Sequence, residues 1–160
     1  MLIPFGGMPL AAYVRGMTGD LSITTLVLVW GVLLRPWCDC RLVKFEYRFA
    51  LLVFITLSAF ALYPMALGIG PVDPYRLGYG NPLFVATLLL LALGAWFRKS
   101  TLIALCIPFA ILAWAVGWYE SSNLWDYLLD PFVSIYALFT IATRAIKELM
   151  VRRPDQHTIR

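Results

Sequence analysis

Apolar residues in this chain come in long unbroken runs rather than in alternation. Five stretches carry no charged residue: Leu21–Leu34, Phe49–Val72, Leu77–Phe97, Ser100–Tyr119 and Pro131–Thr143, with lengths of 14, 24, 21, 20 and 13 residues. A helix rising about 1.5 Å per residue needs about 20 residues to cross the hydrocarbon core of a bilayer. Three runs reach that length unaided. The first reaches it by extending over 17–37, with Asp20 at one interface, and the last by running over 130–150, with Arg144 and Lys147 snorkelling outward. Lipid offers no partner to bare backbone groups, so only helices and closed barrels span it. Barrel strands alternate apolar and polar residues over about ten positions, which these runs do not.

The pattern therefore predicts an all-α integral membrane protein, a bundle of five transmembrane helices over 17–37, 49–66, 82–97, 100–118 and 130–150. The count falls to four if Leu21–Leu34 only dips into the bilayer. Residues 1–153 form one polytopic membrane domain, and 154–160 form a polar tail. The stretch Arg144–Arg153 continues the last helix as a short basic cytoplasmic piece, stopped by Pro154. Met1–Val14 is broken by Pro4, Gly6, Gly7 and Pro9 and lacks a basic leading segment, so it does not read as a cleavable signal.

Local punctuation supports these boundaries. Asn81-Pro82 and Asp130-Pro131 each put a capping side chain before a proline suited to the first helical position. Pro64 should end or bend the second helix, and Pro108 removes a backbone donor in the middle of the fourth. Ala113 and Gly117 form a small-xxx-small pair that suggests close helix approach. Tyr136, Thr140, Thr143 and Lys147 recur at offsets of 4, 3 and 4, a polar stripe expected to face protein as an interhelical seam or as the wall of a groove.

Composition changes the picture only by sharpening it. The chain is 61% hydrophobic and 14% charged, with a mean hydropathy of +0.79, against the quarter or so of charged residues that a soluble domain uses to cover itself. The charges are distributed by side. On the five-span reading, Arg35, Arg41, Lys44, Arg48, Arg98, Lys99, Arg144, Lys147, Arg152, Arg153 and Arg160 fall on one side, 11 of the 13 basic residues. Arg15 and Arg76 fall on the other. That bias places the basic side in the cytoplasm, the N-terminus outside and the C-terminus inside, in an inner (plasma) membrane. The net charge of +4 is then a basic inner face suited to anionic lipid headgroups, and nucleic acid is not the partner it indicates. The tryptophans and outer tyrosines read as an aromatic belt at the headgroup level.

Candidate chemistry is sparse. No Asp, Glu, His, Lys or Arg falls at the centre of a span, which argues against a self-contained pump or carrier. His157 is the only histidine and lies in the tail; Cys38-Asp39-Cys40 has no second ligand pair, so neither a metal site nor a cofactor is expected. The outer loops hold the better candidates. Residues 63–82 contain four glycines and four prolines together with Asp73 and Arg76; residues 120–130 supply Glu120, Asp126 and Asp130. Carboxylates near an arginine can act as acid and base on a lipid-linked substrate. Equally, Arg76 pairing with Asp126 would simply lock the loops together. A short helix capped by Ser122 or Asn123 is expected there, with Leu124, Leu128 and Leu129 turned to the membrane.

Two functions fit. The first is a non-enzymatic accessory or scaffold subunit of an envelope-associated membrane complex, with a membrane-protein partner. The second is a small membrane enzyme or carrier handling a lipid-linked substrate at the outer leaflet, with Asp73, Arg76, Glu120 and Asp126 as working residues.

Overall fold

The computed structural model describes residues 4–5, 8–9, 21–34 and 45–151, with side chains placed over 21–34 and from residue 48 onward. Apart from a two-residue antiparallel ladder, Pro4–Phe5 with Met8–Pro9, the described residues fold as helices and their connections. In chain order these are α1 (Ile23–Leu33), α2 (Phe45–Ala66), a 3-10 turn (Pro74–Gly78), α3 (Pro82–Phe97), α4 (Thr101–Ala115), α5 (Leu124–Leu128) and α6 (Pro131–Val151). Cys38, Cys40 and His157 lie outside the described residues.

The helix starts follow from local chemistry. Asn81 Oδ1 accepts from the amides of Leu83 (2.9 Å) and Phe84 (3.3 Å), and Asp130 Oδ1 accepts from Val133 (2.8 Å). Each side chain fills donors that the first turn leaves unpaired, and the following proline has no amide to waste. Helix ends use a left-handed residue. Gly68 (φ 85°) follows α2, Lys99 (φ 59°) follows α3 and Gly117 (φ 65°) follows α4. In each case the next amide reaches back five residues: Ile69 to Pro64, Ser100 to Ala95 and Trp118 to Ala113. This double closure saturates the last carbonyls and stops the helix. Gly117 therefore terminates α4 instead of opening a packing face, which corrects the reading of Ala113 and Gly117 as a contact pair.

These stops shorten the helices relative to the charge-free runs. Among the described residues only α2, over Arg48–Ala66, is long and apolar enough to cross a membrane by length and composition. The apolar helices α1, α3 and α4 have 11, 16 and 15 residues. At about 1.5 Å per residue they extend roughly 17, 24 and 22 Å, short of a core about 30 Å thick. The runs are longer than the helices because they include cap and turn residues such as Gly78, Gly80, Val116 and Gly117.

α4 is the centre of the bundle. It packs against α1, α2 and α3, and α5 lies over its end. Its buried positions are mostly small or slim, with Ala104, Cys106, Ile107 and Ala110 all enclosed, so neighbouring helices can approach closely. α3 and α4 form a hairpin turned at Arg98-Lys99-Ser100, and α6 packs on α2. The core is completed by Leu51, Leu52, Ile55 and Leu62 of α2 and by Val133 and Ala137 of α6. At the far end of that pair, Arg144 lies 4.3 Å over the Phe49 ring and pairs with Glu148 at 2.9 Å.

The polar stripe on α6 makes the expected cross-helix bond at Tyr136, which accepts from Arg48 of α2 at 3.3 Å, but not at its threonines. Thr140 and Thr143 turn their hydroxyls back to the carbonyls of Tyr136 and Phe139 in their own helix. A threonine hydroxyl can bond the helix carbonyl one turn back, which competes with reaching across a helix gap. A second cross-helix contact joins Tyr63 and Ser134, whose hydroxyls are 3.4 Å apart.

Candidate functional site at the capped end of the bundle

One end of the bundle is closed by the 3-10 turn and α5, which carry most of the polar side chains singled out above. The turn begins at Asp73, whose Oδ1 accepts from the amide of Tyr75 at 3.0 Å. α5 begins at Asn123, which is fully buried and accepts from Trp125 N at 2.9 Å. Asn123 also donates through Nδ2 to the Tyr75 carbonyl (2.9 Å), and Trp125 Nε1 donates to the Pro74 carbonyl (2.9 Å). The two segments are thus joined backbone to side chain. Gly78 makes the join possible. A methyl group there would overlap the Asn123 amide and lie 2.8 Å from Trp125 Cδ1.

Asp126 is the acidic hub of this clamp. Its carboxylate accepts from the Tyr75 hydroxyl at 2.9 and 3.0 Å and from Ser121 Oγ at 2.5 Å. Burial, and then the facing carboxylate, raise the Tyr75 phenol well above its ordinary value. Arg76 is exposed and forms no ion pair with Asp126. The phenol of the preceding residue takes that place. Asp73 and Glu120 are exposed as well. Of the four working residues considered from sequence, Asp126 alone is built into a network, and its network is internal.

Aromatic residues expected at a headgroup belt also serve the cap. Tyr127 is buried; its hydroxyl accepts from the Tyr119 amide (3.1 Å) and lies 3.0 Å from the Ser121 carbonyl. Its ring stacks on Tyr119 at 4.8 Å, and Trp114 Nε1 donates to the Ser122 carbonyl at 2.8 Å. Leu124, Leu128 and Leu129 point into the core, not outward, because α5 sits on the end of α4 with its apolar face down. Tyr75, Ser121, Asn123 and Trp125 carry the clamp. Only Asn123 was legible beforehand, as a capping residue.

The same end holds a second carboxylate, Asp130, at the heads of two helices. One oxygen caps α6; the other accepts from Ser22 N at 2.9 Å and from Thr25 Oγ1 at 2.5 Å. Tyr119 adds a hydrogen bond from its hydroxyl to the Leu21 carbonyl at 2.6 Å. Along the α2–α6 face runs a groove of about 440 Å³, lined by Phe60, Tyr63, Pro64, Ser134 and Ile135. Among the described residues no three His, Cys, Asp or Glu side chains converge as metal ligands would. Comparison with protein-family models, curated proteins and solved structures finds no match.

Proposed function

We propose that this chain is a multi-pass membrane bundle with its capped end outside and its basic end in the cytoplasm. In that membrane it serves as a non-enzymatic accessory or scaffold subunit of an envelope-associated complex. The observation that carries the membrane reading is the outward face of α3. Leu83, Leu90, Leu93, Trp96 and Phe97 are all at least half exposed, and only Leu88 and Ala92 of that helix are buried. Exposed apolar surface of this extent, with Leu112 on α4 and Phe132, Ile135 and Phe139 on α6 exposed as well, needs lipid or protein cover. Short helices such as α3 and α4 fit a bilayer that thins locally or receives their flanking side chains at its interface.

The shared Asp130 site supports five crossings with the N-terminus outside. It places the heads of α1 and α6 side by side, so the two helices enter from the same face. The basic run at the end of α6 supports the reading that the opposite face is cytoplasmic.

The non-enzymatic reading rests on Asp126, whose oxygens are taken up by Tyr75 and Ser121 inside the cap. A general base at a working site keeps an oxygen within reach of substrate. The alternative, catalysis or carriage of a lipid-linked substrate at the outer leaflet, rests on the exposed Asp73, Arg76 and Glu120. Alanine at each of these three positions separates the readings. A scaffold keeps its cellular phenotype in all three variants and co-purifies with a larger membrane protein in mild detergent. Loss of phenotype in a folded variant, or a chain isolated as a partnerless monomer, supports the alternative.

A further inference from the structure

Arg48 stands at the start of the long apolar helix α2, on the end of the bundle away from the cap. Its Nη2 donates to the Tyr136 hydroxyl on α6 at 3.3 Å, and among the described residues no carboxylate pairs with it. The guanidinium has five donors, and one hydroxyl uses one of them. The Tyr136 hydroxyl accepts that bond and keeps its own proton to donate.

Two grooves meet at this guanidinium. One, of about 350 Å³, runs between α1 and α4 past Trp30, Leu102 and Leu105. The other, of about 360 Å³, runs between α1 and α6 past Val29, Leu33 and Phe132. Among the described residues, Arg48 is the only charged one lining either of them. Both have the size of small-ligand sites. A guanidinium with no described carboxylate beside it, at the junction of two apolar grooves, complements an anionic head bearing hydrocarbon chains.

We propose that Arg48 and Tyr136 bind the phosphate of one anionic phospholipid of the inner leaflet, with its acyl chains lying in the grooves on either side of α1. The planar guanidinium takes two phosphate oxygens as a fork, and Tyr136 donates to a third. A soluble anion would match the guanidinium but leave both grooves empty, and a zwitterionic lipid would fill the grooves without supplying net charge. The site rests on the membrane reading above, since α1 presents Val29, Trp30, Val32 and Leu33 outward where only lipid reaches in that reading.

The test uses the full-length chain in neutral detergent, with phosphatidylglycerol and phosphatidylcholine competing for it and bound lipid counted by native mass spectrometry. Wild type should prefer phosphatidylglycerol. Arg48→Gln should lower that preference about fivefold, the worth of one basic residue against an anionic lipid. Arg48→Lys keeps the charge but not the fork, and Tyr136→Phe removes one donor; each should lose part of the preference. These two variants decide the matter should Arg48→Gln not fold. Arg98→Gln, at an exposed basic residue on the same end, should change nothing.

Undiminished preference in folded Arg48 variants overturns the site, as does an equal loss in Arg98→Gln, which would mark diffuse surface charge. Displacement by excess glycerol phosphate would make it a soluble-anion site and overturn the lipid assignment. A chain that stays in membranes after carbonate washing but shows no Arg48-dependent preference overturns this proposal alone; a chain stripped off by that washing overturns the membrane reading itself.

Discussion

Asp130 and Thr25 are joined at 2.5 Å by a hydrogen bond from the threonine hydroxyl to one carboxylate oxygen, while the other oxygen caps α6. A single acidic side chain thus closes the first turn of one helix and holds the first turn of another 105 residues away. Two positive helix ends converge on one negative charge, which each macrodipole favours. Replacing the carboxylate leaves the Val133 and Ser22 amides without their partner in a site where Asp130 is only 5% exposed. Asp130→Ala should cost about 2–4 kcal/mol, combining a lost cap with buried unpaired donors. Asp130→Asn should cost less, since its amide oxygen still serves one helix. Thermal unfolding in detergent gives the ranking, and an alanine variant as stable as wild type would refute the double role.

Gly78 is required for space and not for backbone freedom. A methyl group there overlaps Asn123, which is held on the other side by Ser121 and Tyr75. Gly78→Ala should destabilise the cap by about 1–3 kcal/mol, as overpacking of a close contact does. Faster limited proteolysis within 67–81, with the rest of the chain protected, is the expected signature.

How much of this was open to sequence reading depends on how local the cause is. The helix starts at Asn81-Pro82 and Asp130-Pro131 were legible because capping needs only the residue and its next three neighbours. The helical character followed from the apolar runs. The helix ends did not follow, since residue type does not announce a left-handed Lys99, and Gly117 within an apolar run looks the same as a packing glycine. The clamp was out of reach for a different reason. Tyr75 and Arg76 both offer a donor to Asp126, and only the path of the 3-10 turn decides between them. Leu124, Leu128 and Leu129 mark one apolar face of α5, but a face pattern does not say whether protein or lipid lies against it.

Lys99 holds a left-handed conformation that costs an ordinary residue about 1–2 kcal/mol. Lys99→Gly should therefore raise stability by about 0.5–1 kcal/mol, the opposite of the usual effect of glycine. Gly117→Ala at the equivalent position after α4 should lower it by a similar amount. Paired melting curves check both signs.

The Tyr75 phenol is raised by burial and by Asp126. A phenol raised on folding stabilises the fold fully below its unfolded value, and that contribution is lost as pH rises from there through the raised one. Phenolate absorbance of the folded chain should accordingly be the same in wild type and Tyr75→Phe across the normal range for tyrosine, near pH 10. A smaller signal in the variant would show Tyr75 ionising normally and the clamp to be weak.

The most direct test of the proposed transmembrane arrangement is a pair of fusions to a reporter active only outside the cytoplasm, one at each terminus of the intact chain. The N-terminal fusion should be active and the C-terminal one silent, because α1 and α6 start from the same face and α6 ends in Arg144, Lys147 and the basic tail. Two silent fusions would mean that α1 does not cross, and would contradict the five-helix arrangement that the Asp130 site supports.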